Sequence, residues 1–250
     1  MLPELHVGPL TIQTFGLCLA LSFVSGGLIV AKRFRELGWP ADWAYEALFA
    51  AGVGGIVGAK LDWMLQNPGQ AFGGSLLGAV FGPGLVFFGG LLGGALLVSA
   101  WAWWRGCLGY DATDVAAPAI ALGYALGRIG CQLSGDGDYG VPTHLPWGMA
   151  YPDGTVPTEA HVHPTPIYEL LAMGLVTIVL WHLRGRFAPG VLMGLYLVLA
   201  GIERFLVEII RRNEAVVAGL TLPQLISIAM VVGGSLLLAL RVRAARPAPA

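Results

Sequence analysis

The chain has 250 residues, of which 56% are hydrophobic and only 12% are charged, with a formal net charge of -1 at pH 7. Soluble domains carry about a quarter charged residues, so this composition, with a mean hydropathy of +0.72, excludes an ordinary soluble domain and reads as a polytopic membrane protein. The near-zero net charge argues against a nucleic-acid partner.

A helix needs about 20 mostly apolar residues to cross the hydrocarbon. The apolar runs predict seven such spans, at about 10–31, 44–65, 84–104, 113–130, 166–183, 189–209 and 221–240. The fold class expected is therefore an all-α integral membrane protein, a single polytopic domain over residues 1–250. The first run is longer than a signal-peptide core, and its charges follow it instead of preceding it, so it reads as a span. The second run holds Glu46, Lys60 and Asp62, and the sixth holds Glu203, Arg204 and Glu208. With the N-terminus outside, the inner segments contain Lys32, Arg33, Arg35, Arg105, Arg184, Arg186, Arg241, Arg243 and Arg246, which is nine of the 14 basic residues. That bias predicts an outer N-terminus and a cytoplasmic C-terminus. Lys60, Arg128, Arg204, Arg211 and Arg212 are left within spans or at their outer ends, either because the rule is only a tendency or because chemistry keeps them there.

Of the connections, the one at about 131–165 is too long for a simple connector. Its prolines and aromatics, Tyr139, Pro142, Pro146, Trp147, Tyr151, Pro152, Pro157 and Pro164, predict a small outer-face cap. A Gly-rich outer loop is expected at about 66–83, lying along the interface. Cys18, Cys107 and Cys131 fall in or beside different spans and are expected to stay unpaired. Gly52, Gly54, Gly55 and Gly58 in the second run and Gly89, Gly90, Gly93 and Gly94 in the third let helices approach closely; a groove for a lipid is the alternative.

Residues 127–140, GRIGCQLSGDGDYG, end an apolar run in Arg128 and then break into glycines and acids. An arginine at that depth is costly unless something anionic meets it, and a guanidinium is a planar fork that matches two phosphate oxygens. The bland reading is a snorkelling arginine. Asp136 and Asp138 read as turn formers, or as groups that position Arg128 or accept a proton. Arg204 and Glu208, four apart, share a helix face that Arg211 continues. They read as a second cationic clamp, or as an ion pair that locks helices. His163, Pro164, Pro166, Tyr168 and Glu169 open the fifth span, with Pro166 suited to a first turn and His163 able to serve as a base near neutral pH; an N-terminal helix cap with an interfacial tyrosine is the alternative. His161 and His163 lack a third ligand nearby, so no metal site is expected. No nucleophile elbow or nucleotide-binding loop is present.

Taken together, GRIG…GDGDYG, HPTPIYE and RFLVEIIRR on seven spans resemble the bacterial prolipoprotein diacylglyceryl transferases. Gly127, Arg128, Gly130 and, after a one-residue insertion, Gly140 match that family's Gly-Arg-x-Gly-Asn-Phe-x-Asn-x-Glu…Gly motif, with Asp136 near the place of its Glu. His163, Pro164, Tyr168 and Glu169 match its His-Pro…Tyr-Glu segment. Arg204, Glu208 and Arg211 match Arg-x-x-x-Glu-x-x-Arg, and Gly89-Gly90-Leu91 matches its Gly-Gly-Leu turn. The resemblance implies transfer of diacylglycerol from phosphatidylglycerol to the lipobox cysteine of a preprolipoprotein signal peptide, with glycerol 1-phosphate leaving, in the bacterial plasma membrane and without cofactor or metal. It implies Arg128, Arg204, Glu208 and His163 as catalytic residues, and Arg128, Arg204, Arg211, Asp136, Gly140, Tyr168, Gly89 and Gly90 as headgroup-binding residues. The chain departs from the family at Phe15 (often Tyr), Phe88 (often His), Cys131 (Asn), Gln132 (Phe) and Ser134 (Asn). A base at position 88 is excluded, which leaves His163, Glu208 or Asp136, with His163 favoured, or the arginines alone. Cys131 reads as a small polar replacement, or as a redox-sensitive or self-acylating thiol. A diverged member acting on another acceptor, and a non-catalytic lipid-binding or lipid-moving protein, are the alternative functions; the absence of repeat symmetry weighs against a transporter.

Overall fold

The computed structural model describes residues 1–72, 84 and 86–244. A short antiparallel hairpin, β1 (Glu4–Val7) and β2 (Leu10–Gln13), precedes helix α1 (Thr14–Glu36). Then come α2 (Trp43–Gln66), the single-turn α3 (Pro68–Phe72), α4 (Phe87–Trp104) and α5 (Tyr110–Ser134). A second hairpin, β3 (Met149–Tyr151) and β4 (Thr158–Val162), follows, and the chain ends in α6 (Thr165–Leu183), α7 (Val191–Glu208) and α8 (Leu222–Ala244).

Each predicted span coincides with a long helix. Four of them, α1, α2, α6 and α8, are long and apolar enough to cross a membrane. Helix α5 carries Asp111, Asp114 and Arg128, and α7 carries Glu203, Arg204 and Glu208, charges that set them apart from those four. Two boundaries differ from expectation. The helical architecture is as expected, but the first helix starts later than residue 10, because residues 10–13 pair with β1. Thr14 ends the hairpin, its hydroxyl donating to the carbonyls of Leu2 at 2.6 Å and Pro3 at 3.0 Å. The fourth apolar segment stays helical through Ser134, so the expected cap starts later than residue 131. The expected loop at 66–83 lies outside the described residues beyond Phe72.

The chain forms two compact units, residues 31–112 and the remainder. In the smaller unit, α2 packs on α4 through facing glycines. A Cβ on Gly58 would strike the Gly89 carbonyl and come within 2.8 Å of the Gly93 Cα, so only residues without a Cβ allow the two backbones so near. Glu46 closes one end of this unit. It ion-pairs with Arg105, accepts hydrogen bonds from Arg105 Nε at 2.8 Å and Trp101 Nε1 at 2.9 Å, and Arg105 lies 4.6 Å from the Trp104 ring.

In the larger unit, Ala117, Ala121 and Ala125 repeat every four residues along α5. They pack against Met173, Val176 and Leu180 of α6 and Leu192 and Ala200 of α7. This one-sided apolar stripe sets three helices side by side. The buried carboxylate of Asp114 on α5 accepts the backbone N–H groups of Gly190 and Met193, both at 2.8 Å. It caps α7 from a neighbouring helix, satisfying N–H groups that have no partner within α7. The second hairpin has its own small core of Tyr139, Tyr151 and Val162, with the two tyrosine rings stacked at 4.8 Å.

Candidate active site

The C-terminal end of α5, the N-terminal end of α6 and the C-terminal end of α7 converge on Glu169, whose side chain is fully buried. Three arginines meet its carboxylate. Arg128 of α5 ion-pairs through Nε with Oε2, while Arg204 of α7 reaches Oε1 at 2.8 Å and Arg211 reaches the same oxygen at 3.4 Å. Arg204 also pairs with Glu208 at 2.8 Å, one turn further along its own helix. Glu208 is itself buried and accepts from Asn213 Nδ2 at 2.7 Å and Thr221 Oγ1 at 2.9 Å. A Tyr124 hydroxyl accepts from Arg128 Nη2 at 2.8 Å.

The loop after α5 supplies the last carboxylate. Asp138 binds Arg128 through one oxygen and Arg211 through the other. It retains 32% side-chain exposure, whereas Glu169 and Glu208 have none. Burial alone would raise the Asp138 carboxyl, but the two guanidiniums outweigh it and hold the group below the ordinary aspartate value. Asp136 goes the other way, pushed up by burial and by the charge of Asp138. It accepts the Asp138 backbone N–H at 3.2 Å, so it shapes the loop, while Asp138 holds the arginines.

The structure thus brings together Arg128, Arg204, Arg211 and Glu208, as the sequence suggested. Asp138, expected as a turn former or as a group that positions Arg128 or accepts a proton, does pair with Arg128; Glu169 was expected only in the first turn of its span. Glu169 had a legible signal, an acid in the first turn of an apolar span, but that pattern is equally that of a helix cap. His163 and Tyr168 pair with each other, Nδ1 to hydroxyl at 3.3 Å, and Trp147 Nε1 donates to the same hydroxyl at 2.8 Å. His163 makes no hydrogen bond or ion pair with the arginines or acids among the described residues. Gly140 is a close-approach position. A Cβ there would meet the Ile210 carbonyl and stand 3.0 Å from the His163 Cβ, so a larger residue would push the loop from the end of α7. Gly89 and Gly90 lie in the helix seam of the smaller unit.

Cys131, Asp136 and Asp138 present donor atoms within 4.8 Å of one another, the one such group among the described residues. Arg128 Nη1 lies 3.7 Å from the Cys131 sulfur and ion-pairs with Asp138. A fixed cation therefore already occupies the charge a metal would need. All three cysteines are free thiols.

The family model of prolipoprotein diacylglyceryl transferase matches residues 4–240. Among curated relatives, the phosphatidylglycerol–prolipoprotein diacylglyceryl transferase of Methylibium petroleiphilum is 33% identical over 245 residues, covering 92% of this chain and 92% of the relative. That of Polynucleobacter necessarius is 33% identical over 248 residues, covering 92% and 91%. That of Clostridium tetani is 29% identical over 228 residues, covering 90% and 91%.

Proposed function

The chain belongs to the prolipoprotein diacylglyceryl transferase family, and from that premise we propose that it moves diacylglycerol from phosphatidylglycerol to the lipobox cysteine thiol of a preprolipoprotein signal peptide, releasing glycerol 1-phosphate. The observation that carries this reading is the sharing of one buried glutamate by three arginines, from α5, from α7 and from the segment just after α7. Three guanidiniums on one carboxylate oxygen pair leave donor capacity for a further anion, and a phosphodiester is the anion that a bilayer supplies.

The exposed member, Asp138, bridges Arg128 and Arg211 with one oxygen each, as two phosphate oxygens would. The lipid phosphate takes that outward position, and Asp138 swings aside on its loop. Glu169 and Glu208, fully buried, stay and keep the guanidinium planes aligned. As the glycerol C–O bond breaks, the phosphate passes from a diester with one charge to a monoester that carries about -1.5 to -2 near neutral pH. Charge grows where preorganised arginines already point, which lowers the barrier more than it strengthens ground-state binding. The attacking sulfur must be a thiolate, and the cationic site favours it. No metal or cofactor takes part.

In this reading the protein is a multi-pass protein of the bacterial plasma membrane. Its seven long helices cross the bilayer with the N-terminus outside, and the arginine cluster and the β3–β4 cap face the compartment where lipoproteins emerge. Its partners are phosphatidylglycerol and the signal peptide.

The test is complementation of a strain depleted of its own transferase, with diacylglyceryl modification of a lipobox peptide followed in vitro on phosphatidylglycerol. Modified peptide is expected with the wild type. A wild-type chain that folds in the membrane yet modifies no peptide would sink the proposal.

A further inference from the structure

The cluster contains a fourth acid that the phosphate clamp does not use. Three arginines are balanced by Asp138, Glu169 and Glu208, and every one of those carboxylates is engaged by a guanidinium. None can accept a proton without losing an ion pair. Glu203, next to Arg204 on α7, is different. Its Oε1 is buried without a hydrogen bond, as are Glu169 Oε2 and Glu208 Oε2, but those two oxygens ion-pair with arginines, whereas Glu203 makes no ion pair among the described residues. Glu203 nevertheless stands within electrostatic reach of Arg128 of α5, Glu169 of α6, and Arg204 and Arg211. The hydroxyls of Tyr124 on α5 and Tyr196 on α7 feel it as well. Helix α8, which also packs on α7, carries no ionisable side chain from Leu222 to Leu240.

Position along the helix adds a second constraint. Glu208 and Arg211 lie at the end of α7, where it reaches the interface. Five residues back, Glu203 is about 7–8 Å further along the axis toward the apolar core, at about 1.5 Å per residue. A phospholipid lies with its phosphate at the interface and its glycerol carbons toward the core. Displacement at the glycerol carbon needs the sulfur on the side opposite the departing phosphate oxygen, hence on the core side of the Asp138–Arg211 pair where the phosphate enters. Glu203 lies on that side, at the depth of its neighbour Arg204.

We propose that Glu203 is the proton acceptor for the attacking thiol, a reading that rests on the transferase activity proposed above. The thiol proton passes to the Glu203 carboxylate. The sulfur forms a bond to the glycerol carbon, the C–O bond breaks, and its electron pair stays on the phosphate oxygen held by Arg128, Arg204 and Arg211. Glu203 then returns the proton to the phosphate monoester or to water, which restores the carboxylate and balances the step. A carboxylate with a buried oxygen that no hydrogen bond engages can make this exchange while the clamp stays intact.

The experiment compares wild type, Glu203→Gln and Glu203→Asp as full-length proteins in proteoliposomes containing phosphatidylglycerol, with a lipobox peptide as acceptor, across a pH series. General bases contribute about 100-fold or more, so Glu203→Gln is expected to lose about that factor in kcat. KM for phosphatidylglycerol should stay unchanged, and the rise of rate on the acid side of the profile should disappear. Glu203→Asp should recover part of kcat and keep that rise, displaced along the pH axis. A Glu203→Gln protein with wild-type kcat and pH profile overturns the proposal. So does one that loses phosphatidylglycerol binding in step with kcat, because that marks a residue supporting the clamp. Should Glu203→Gln fail to fold, the Glu203→Asp profile decides, an undisplaced rise counting against Glu203. Wild type that modifies no peptide in the same vesicles strikes the transferase reading instead, which keeps the two failures distinct.

Discussion

Both units of this protein contain a buried or half-buried glutamate bound to arginine, and the two sites are built in opposite ways. Glu46 in the smaller unit serves Arg105 alone, in a bidentate pair that Trp101 completes, with side-chain exposures of 29% and 36%. Both Glu46 oxygens go to that one arginine, Oε2 also accepting from Trp101, and the Trp43 and Trp104 rings flank the guanidinium. Glu169 in the larger unit is fully buried and shared by three arginines, which also share Asp138 and Glu208. A pair with dedicated partners has no capacity left for a ligand and acts as a clasp. A cluster with shared partners can release one and take up an anion. Charged residues in a membrane protein are therefore best sorted by how exclusively they are partnered, and depth alone is a poor guide.

The comparison breaks most visibly at Glu169. Glu169→Ala leaves three guanidiniums without their common carboxylate, and breaking a buried ion pair costs about 3–5 kcal/mol. Loss of both thermal stability in detergent and transferase activity is the expected outcome; a variant that melts with wild type would show that Asp138 and Glu208 alone hold the arginines. Next comes Arg128→Lys, which keeps the charge and removes the fork. A fall in kcat/KM of at least about 100-fold, or about 2.7 kcal/mol at 1.36 kcal/mol per decade, is expected in the peptide assay, while an equivalent Arg105→Lys change in the smaller unit should leave activity within a few-fold. Gly58→Ala tests the seam of the smaller unit, where a Cβ meets backbone at Gly89 and Gly93. Overpacking of that kind costs about 1–3 kcal/mol, readable as a lowered melting temperature. Arg105→Ala should lower the melting temperature less than Gly58→Ala does, because partly exposed ion pairs contribute little.

The smallest effect is a pH dependence. Asp138 is held below its ordinary value by Arg128 and Arg211. Its contribution to stability is therefore present above the unfolded value of about 3.9 and is lost as pH falls through the lower folded value. Asp138→Asn should flatten the acid end of the stability profile. It should also lower KM for phosphatidylglycerol, since the neutral amide competes less well with phosphate for the two guanidiniums. An unchanged KM would show that the phosphate does not enter through the Asp138 position.

Much of this was legible in one dimension. Apolar run length dictated where long helices form, because a helix in hydrocarbon must satisfy its own backbone. The spacing of Arg204, Glu208 and Arg211 put them on one face, because helical period is local. The GRIG and HPTPIYE segments marked Arg128 and the start of α6. The hairpin at residues 4–13 was missed, since its apolar residues merge with the run that follows and only Thr14 hydrogen-bonding back to Leu2 and Pro3 separates the two.

By itself, then, the sequence determined the helices, their order and the family, all of which depend on composition and short-range period. Which acid holds which arginine was decided only by the tertiary structure. Asp136 and Asp138 are two residues apart in a glycine-rich turn, and nothing local ranks them; the approach of Arg211 from the end of α7 selects Asp138. Glu169 looks like a cap until α5 and α7 bring Arg128 and Arg204 against it. Glu203 and Glu208 stand on one helix within five residues of each other, yet Glu208 ion-pairs with Arg204 and Glu203 makes no ion pair among the described residues. Partnering of charges is a property of distance in space, and chain spacing constrains it only within a single helix face.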